Sequence, residues 1–137
     1  MSRRVWLTGD VERSFWHGGN GELSRLLQQA IRWVARDRMP VRVSGEGLVE
    51  LFAWETEPGY AIHILNYTNP KSAMGWFRDT NPLGAQTVRV ELPEGTKVRK
   101  VQALRAGTEL KHKVSGQTLE FIVPGVRDYE VAAVTTA

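Results

Sequence analysis

Asp10 and Glu12 are the acids best placed for general acid–base work, following the short apolar run Val5-Trp6-Leu7 in a segment that also carries Arg13, Trp16 and His17. Hydrolysis of a glycosidic bond needs two carboxylates facing each other across a cleft at about 5 to 9.5 Å. Acids two positions apart on one short loop do not build such a cleft, and Arg13 is their natural ion-pair partner. The three histidines, His17, His63 and His112, are scattered, show neither HxH nor HExxH spacing, and have no cysteine to join them. The sequence therefore points to no metal site and no cofactor. His63 sits mid-strand among apolar neighbours and reads as a hydrogen-bonded core histidine. His17 lies in WHGGNG, which lacks the GxGxxG and GxxxxGK phosphate-loop spacings, and no GxSxG elbow is present. No catalytic residue is predicted.

A second constellation is Trp76, Phe77, Arg78 and Asp79, inside the aperiodic stretch 67–85. Loops this long are uncommon in compact domains and usually have a task. Met74 and Leu83 in the same stretch favour burial, with the loop folded over one end of a sandwich or docked on a neighbouring domain. The alternative is a carbohydrate-binding platform, with Trp76 and Phe77 stacking on sugar rings and Arg78 and Asp79 beside them.

The elements that would position these residues divide the chain at Met39. In residues 1–39, Val5 to Leu7 reads as a strand, Asp10 to Gly19 as a loop, and Leu23, Leu26, Leu27, Ala30, Ile31 and Val34 as one apolar stripe of a helix. Asn20 is its expected N-cap and Pro40 its stop. In residues 40–137 turn signals recur about every 8 to 12 residues, as in an antiparallel sandwich. Strands are expected at 41–44, 48–55, 60–66, 86–92, 97–104, 108–113, 117–123 and 129–134. The pair 48–55 and 60–66 is the expected centre, the first with an aromatic and an aliphatic face, joined by a type II turn at Pro58-Gly59. Tyr129, Val131 and Ala133 are read as the buried face of the last strand. The predicted class is mainly β: an antiparallel immunoglobulin-like β-sandwich of about seven to eight strands, with an N-terminal strand and one amphipathic helix.

Composition excludes several roles. The chain has 137 residues, no cysteine, and 18 Lys and Arg against 15 Asp and Glu, a net charge of +3. One domain with a real core, or one domain plus a fragment, fits that length. The one basic cluster, Lys97 to Lys113, has no interleaved aromatics for base stacking, so nucleic acid is not an expected partner; outward charges on an edge strand explain it. No apolar run approaches a membrane span and the N-terminus lacks a signal-peptide core, which favours a soluble, cytoplasmic chain.

Asp10-Val11-Glu12-Arg13-Ser14-Phe15-Trp16 resembles a D-x-(D/E)-R-x-(F/Y)-W loop, and Gln29-Ala30-Ile31-Arg32-Trp33 an N-A-x-x-W helix end. His63 to Pro70 is similar to an H-x-x-N-x-T-N-P turn, and Leu92 to Leu104 to the strands that follow it. Together these resemble the C-terminal region of bacterial glycoside-hydrolase-like proteins related to the trimeric beta-galactosidases. There a catalytic barrel is followed by an amidotransferase-like trimerisation domain and a small β-domain. The resemblance implies that residues 1–39 end an α/β domain and 40–137 form a C-terminal accessory domain. It implies as partners the barrel and α/β domains of a parent glycosidase, whose catalytic carboxylates would lie in that barrel. Self-association is expected too, with the helix stripe lying on the sandwich and the strand edge at Val5 to Leu7 covered by a second chain.

Overall fold

The computed structural model describes residues 2–68 and 80–137, which form two compact units, Met1–Met39 and Pro40–Ala137. Each is described on its own.

In the first unit two sequence expectations fail. Residues 2–8 form no strand, and Trp6 is 87% exposed. A lone parallel strand needs neighbours for its N–H and C=O groups, and none is supplied among the described residues. The expected loop after Asp10 is instead a helix, α1 (Val11–Gly18), which ends on left-handed Gly19 with its N–H on the Phe15 carbonyl at 2.8 Å. Gly18-Gly19 is thus the C-terminal stop of one helix rather than loop filler. The second helix, α2 (Gly21–Ala35), follows at once. Asn20 caps it, its side-chain oxygen accepting the Glu22 N–H at 2.8 Å. The helix stops before Pro40, because Arg36 and Asp37 turn left-handed at φ 55° and 57°. There the Asp37 N–H closes on the Arg32 carbonyl at 2.9 Å. Arg3 donates to the Trp33 carbonyl at 3.0 Å and lies over its ring.

The second unit is a sandwich of two antiparallel sheets. Its strands are β1 (Val41–Ser44), β2 (Val49–Thr56), β3 (Gly59–Asn66), β4 (Gln86–Glu91), β5 (Val98–Ala103), β6 (Thr108–Glu109), β7 (His112–Ser115), β8 (Thr118–Val123) and β9 (Tyr129–Thr136). One sheet runs β1-β4-β8-β7 and the other β2-β3-β9-β5-β6. Alternation places Val88 and Val90 of β4 opposite Phe121 and Leu119 of β8, all four buried. They face Ile62 and Ile64 of β3, Val101 and Ala103 of β5, and Ala132 and Val134 of β9 in one core cluster.

Four details differ from the sequence reading. The run 108–113 is not one strand: β6 belongs to the five-stranded sheet and β7 to the four-stranded one. Leu110 is buried at the crossover, its N–H on the Val101 carbonyl at 2.8 Å. Within the basic segment Lys97 to Lys113, β5 is not an edge but lies between β9 and β6, whereas β6 and β7 are edges. Conversely β2 is an edge, so only β3 of the expected central pair is interior. The turn between β2 and β3 is not the expected type II turn with Pro58 second and Gly59 third, because Thr56 pairs with Gly59 and Pro58 takes the third position.

Gly59 has φ 151°, and a Cβ there would run into the Val134 carbonyl oxygen of β9. Gly59→Ala must therefore push β3 off β9. A loss of about 3 kcal/mol or more is expected in urea unfolding, compared with near-neutral Gly116→Asn, where a left-handed turn meets no neighbouring atom.

Candidate functional site

Among the described residues, those singled out for chemistry form no paired-acid cleft. Asp10 stands at the N-cap position of α1 without a side-chain cap bond, and its Oδ2 lies 3.8 Å from Arg13 Nη1 in an exposed pair. Glu12 and Trp16 share a face of the same helix at i, i+4 spacing, and Trp16 is highly exposed. Glu12 borders an open groove whose other walls are apolar: Val5, Leu7, Leu27, Ala30, Ile31, Val34 and Ala35. No second acid faces it across that groove. Among the described residues no group of three or more His, Cys, Asp or Glu could hold a metal ion. Trp76, Phe77, Arg78 and Asp79 lie outside the described residues.

The His63-to-Pro70 motif has a structural explanation as far as Thr68. Asn66 is buried at the end of β3, and its Nδ2 donates to the carbonyls of Asn81 and Arg127, both at 2.7 Å. Its Oδ1 accepts the Thr68 N–H at 2.9 Å, closing an Asx turn. Thr68 Oγ1 in turn accepts the Leu48 N–H at 2.7 Å. One amide and one hydroxyl thus tie the ends of β2, β3 and the segments before β4 and β9. His63, read as a core residue, is instead half-buried on the outer face of the sheet, between Phe52 of β2 and Val131 of β9. The period of two allows nothing else once Ile62 and Ile64 face inward.

A polar cluster at the end of β9 was not foreseen. The expected inward face of β9 is inverted: Glu130, Ala132 and Val134 are buried, and Tyr129 is 43% exposed. Glu130 Oε1 accepts the N–H groups of Arg105 and Val131, both at 2.8 Å, and Oε2 that of Ala106 at 3.0 Å. The Arg105 guanidinium extends over the Tyr129 ring at 4.2 Å from its centroid and donates to Asp128 Oδ1 at 2.5 Å. That hydrogen bond, assisted by the Tyr129 N–H, lowers the Asp128 carboxyl to about 2. The sequence signal was the acid pair flanking Tyr129 in Asp128-Tyr129-Glu130, opposite a lone Arg105.

Register places the aromatic side chains on one outer face of the five-stranded sheet. Phe52 and Trp54 of β2 lie beside His63 and Ala61 of β3, then Val131 and Ala133 of β9, with Tyr129 and Arg105 at the far end. Trp54 is 61% exposed and Phe52 43%. The face offers rings and one stacked cation, and no nucleophile–base pair. Open rings of this kind are suited to contact.

No family model matches the sequence, and no curated protein does. Among solved structures the chain is similar to "Alpha-L-fucosidase isoenzyme 2 from Paenibacillus thiaminolyticus", with 22% identity and a TM-score of 0.78. The match covers 96% of this chain and 20% of that one, so the chain spans about one fifth of the fucosidase's length. At that identity the likeness shows the fold.

Two expectations follow from the polar contacts. Asn66→Ala leaves the Asn81 and Arg127 carbonyls and the Thr68 N–H without their shared partner, a loss of about 2 to 4 kcal/mol in urea unfolding; Thr68→Val costs about 1. Asp128 has its folded pKa lowered from 3.8 to about 2, so its contribution to stability is present above 3.8 and is lost as pH falls through about 2. The wild type should therefore melt above Asp128→Asn near neutral pH, and the difference should shrink from pH 4 downward and disappear only below pH 2.

Proposed function

We propose that this chain is a noncatalytic accessory part of a glycoside hydrolase, packing against the remainder of a larger polypeptide. The observation that carries the reading is the likeness in fold, across nearly all of this chain, to one fifth of a bacterial alpha-L-fucosidase. An activity residing in the other four fifths of such a protein asks only scaffolding or contact of this part. The described acids agree with that: Asp10 pairs with Arg13 on the surface, Glu130 is bound by backbone N–H groups, and Glu12 faces apolar walls.

An open apolar surface supports the docking role, namely the groove bordered by α2. Contiguous apolar surface of this kind marks contact sites in soluble proteins. The motifs at Asp10 to Trp16, Gln29 to Trp33 and His63 to Pro70 favour a more specific assignment. They suit the end of an amidotransferase-like domain followed by the C-terminal β-domain of a beta-galactosidase-like enzyme.

The chain should hydrolyse no member of a panel of aryl glycosides, aryl fucosides and galactosides included, at micromolar protein. Turnover that Asp10→Asn or Glu12→Gln abolishes would overturn the reading and place an active site on α1. Titration with soluble oligosaccharides under tryptophan fluorescence should give no saturable change. Saturable quenching lost in Trp54→Ala or Trp76→Ala would make the chain a carbohydrate-binding module instead.

A further inference from the structure

The free edge of β2 carries enough information to name its partner. The Tyr67 N–H binds the Leu48 carbonyl at 2.9 Å, in register with the β2–β3 ladder that pairs Val49 with Asn66. In an antiparallel pair the N–H and C=O of one residue point to the same side and the side alternates. Glu50, Phe52, Trp54 and Thr56 therefore bond to β3. Val49, Leu51, Ala53 and Glu55 turn their backbone groups to the other side, where no strand pairs with β2 among the described residues. At eight residues β2 is the longest edge strand of either sheet, against four for β1 and β7 and two for β6. A long edge with exposed apolar side chains is a template for another strand.

We infer that β2 pairs antiparallel with β2 of a second copy, about a two-fold axis at Ala53, joining two five-stranded sheets edge to edge. Backbone parity restricts the choice, since outward-pointing residues must meet outward-pointing residues. A two-fold between Phe52 and Ala53, which would set Glu50 against Glu55, is excluded on that ground. With the axis at Ala53, Phe52 of each copy lies opposite Trp54 of the other, at positions without cross-strand hydrogen bonds. Such positions bring side chains closest, with Cα atoms about 4.5 Å apart. Glu50 then faces Thr56, and Leu51 faces Glu55, so no like charges meet. The two pairs of rings, exposed in one chain, cover each other. The inference does not depend on the accessory-domain reading, which concerns the catalytic remainder rather than a second copy.

Sedimentation equilibrium of the full chain at about 100 μM, a concentration suited to a single-edge interface, should give twice the 15.4 kDa of one chain. Phe52→Lys and Trp54→Glu should each restore the monomer with an unchanged circular dichroism spectrum, because both positions face solvent. The two substitutions combined should return the dimer, since the two-fold sets the new cation against the new anion. The chain has no cysteine of its own, so Ala53→Cys provides an independent test. Oxidation should link two copies across the axis, where Cα atoms about 5.5 Å apart lie within disulfide reach. A monomeric wild type at that concentration overturns the proposal. A dimer indifferent to both single substitutions, or one that Ala53→Cys fails to cross-link, overturns the β2 edge or its register.

Discussion

Glu130 lies inside the sandwich, 4% exposed, and its carboxylate oxygens take backbone N–H groups from Arg105, Ala106 and Val131. A buried carboxylate without partners costs several kcal/mol, whereas three charge-assisted hydrogen bonds make the inward position tenable. Since strand side chains alternate, holding Glu130 inward commits Ala132 and Val134 to the core and Tyr129, Val131 and Ala133 to the outside. Strand β9 stands between β3 and β5, so the faces of both neighbours follow from its register. The same carboxylate grips the turn after β5, which aims the Arg105 side chain at Asp128 and the Tyr129 ring. The composition of the outer face is thus a consequence of one buried charge.

Asn66 performs a comparable task at the same end of the sheet, where the last residue of β3 meets the segment that leads into β9. Its amide reaches the carbonyls of Asn81 and Arg127 and the N–H of Thr68, and Thr68 reaches Leu48. These bonds fix where β2 begins, where β3 ends and where the chain approaches β9. Together with the Gly59 approach to Val134, they leave the β2–β3 hairpin little freedom to slide against β9. The rigidity matters for contact: a face whose backbone is fixed at both ends presents Phe52, Trp54 and His63 in a constant arrangement and loses less entropy on being covered.

Much of the sandwich was legible because local chemistry and burial agree there. The β1 bounds emerge from alternation and Pro40 alone, and β4 and β8 show one apolar and one wet face ending at Pro93 and Pro124. Legibility failed where a decision belonged to tertiary partners. Val131 and Ala133 are as apolar as Ala132 and Val134, and an acid at 130 reads as wet until three distant or adjacent N–H groups claim it. Apolar residues on both faces of β2 suggested a strand covered on both sides, yet sheet order makes it an edge whose aromatic face stays open. Seven residues of α1 before two glycines give too short a period to separate from a loop, and Val5 to Leu7 have strand composition without strand neighbours among the described residues. Phe52 and Trp54, read in the sequence as the aromatic face of their strand, are brought into line by its pleat.

Open apolar surface ties the stability of this chain to its company. Water in contact with Trp54, Phe52 and the α2 groove forfeits roughly 25 cal/mol for each Å² that a partner would cover. A partner that binds only the folded form adds RT ln(1 + [L]/Kd) to the unfolding free energy, whether it is a catalytic domain or a second copy. For a tethered neighbour the effective concentration is set by the linker and reaches the millimolar range. A modest patch can then be covered nearly all the time without high intrinsic affinity. For a free second copy the concentration is that of the chain itself, so coverage varies with abundance. The groove and the β2 edge lie in different units and differ in chemistry, one a wall of aliphatic side chains and the other a row of backbone groups flanked by rings. An aliphatic wall selects by shape and area, whereas a strand edge selects by register. The two surfaces therefore suit two different partners, the first a packed neighbour of complementary contour and the second a strand of matching length.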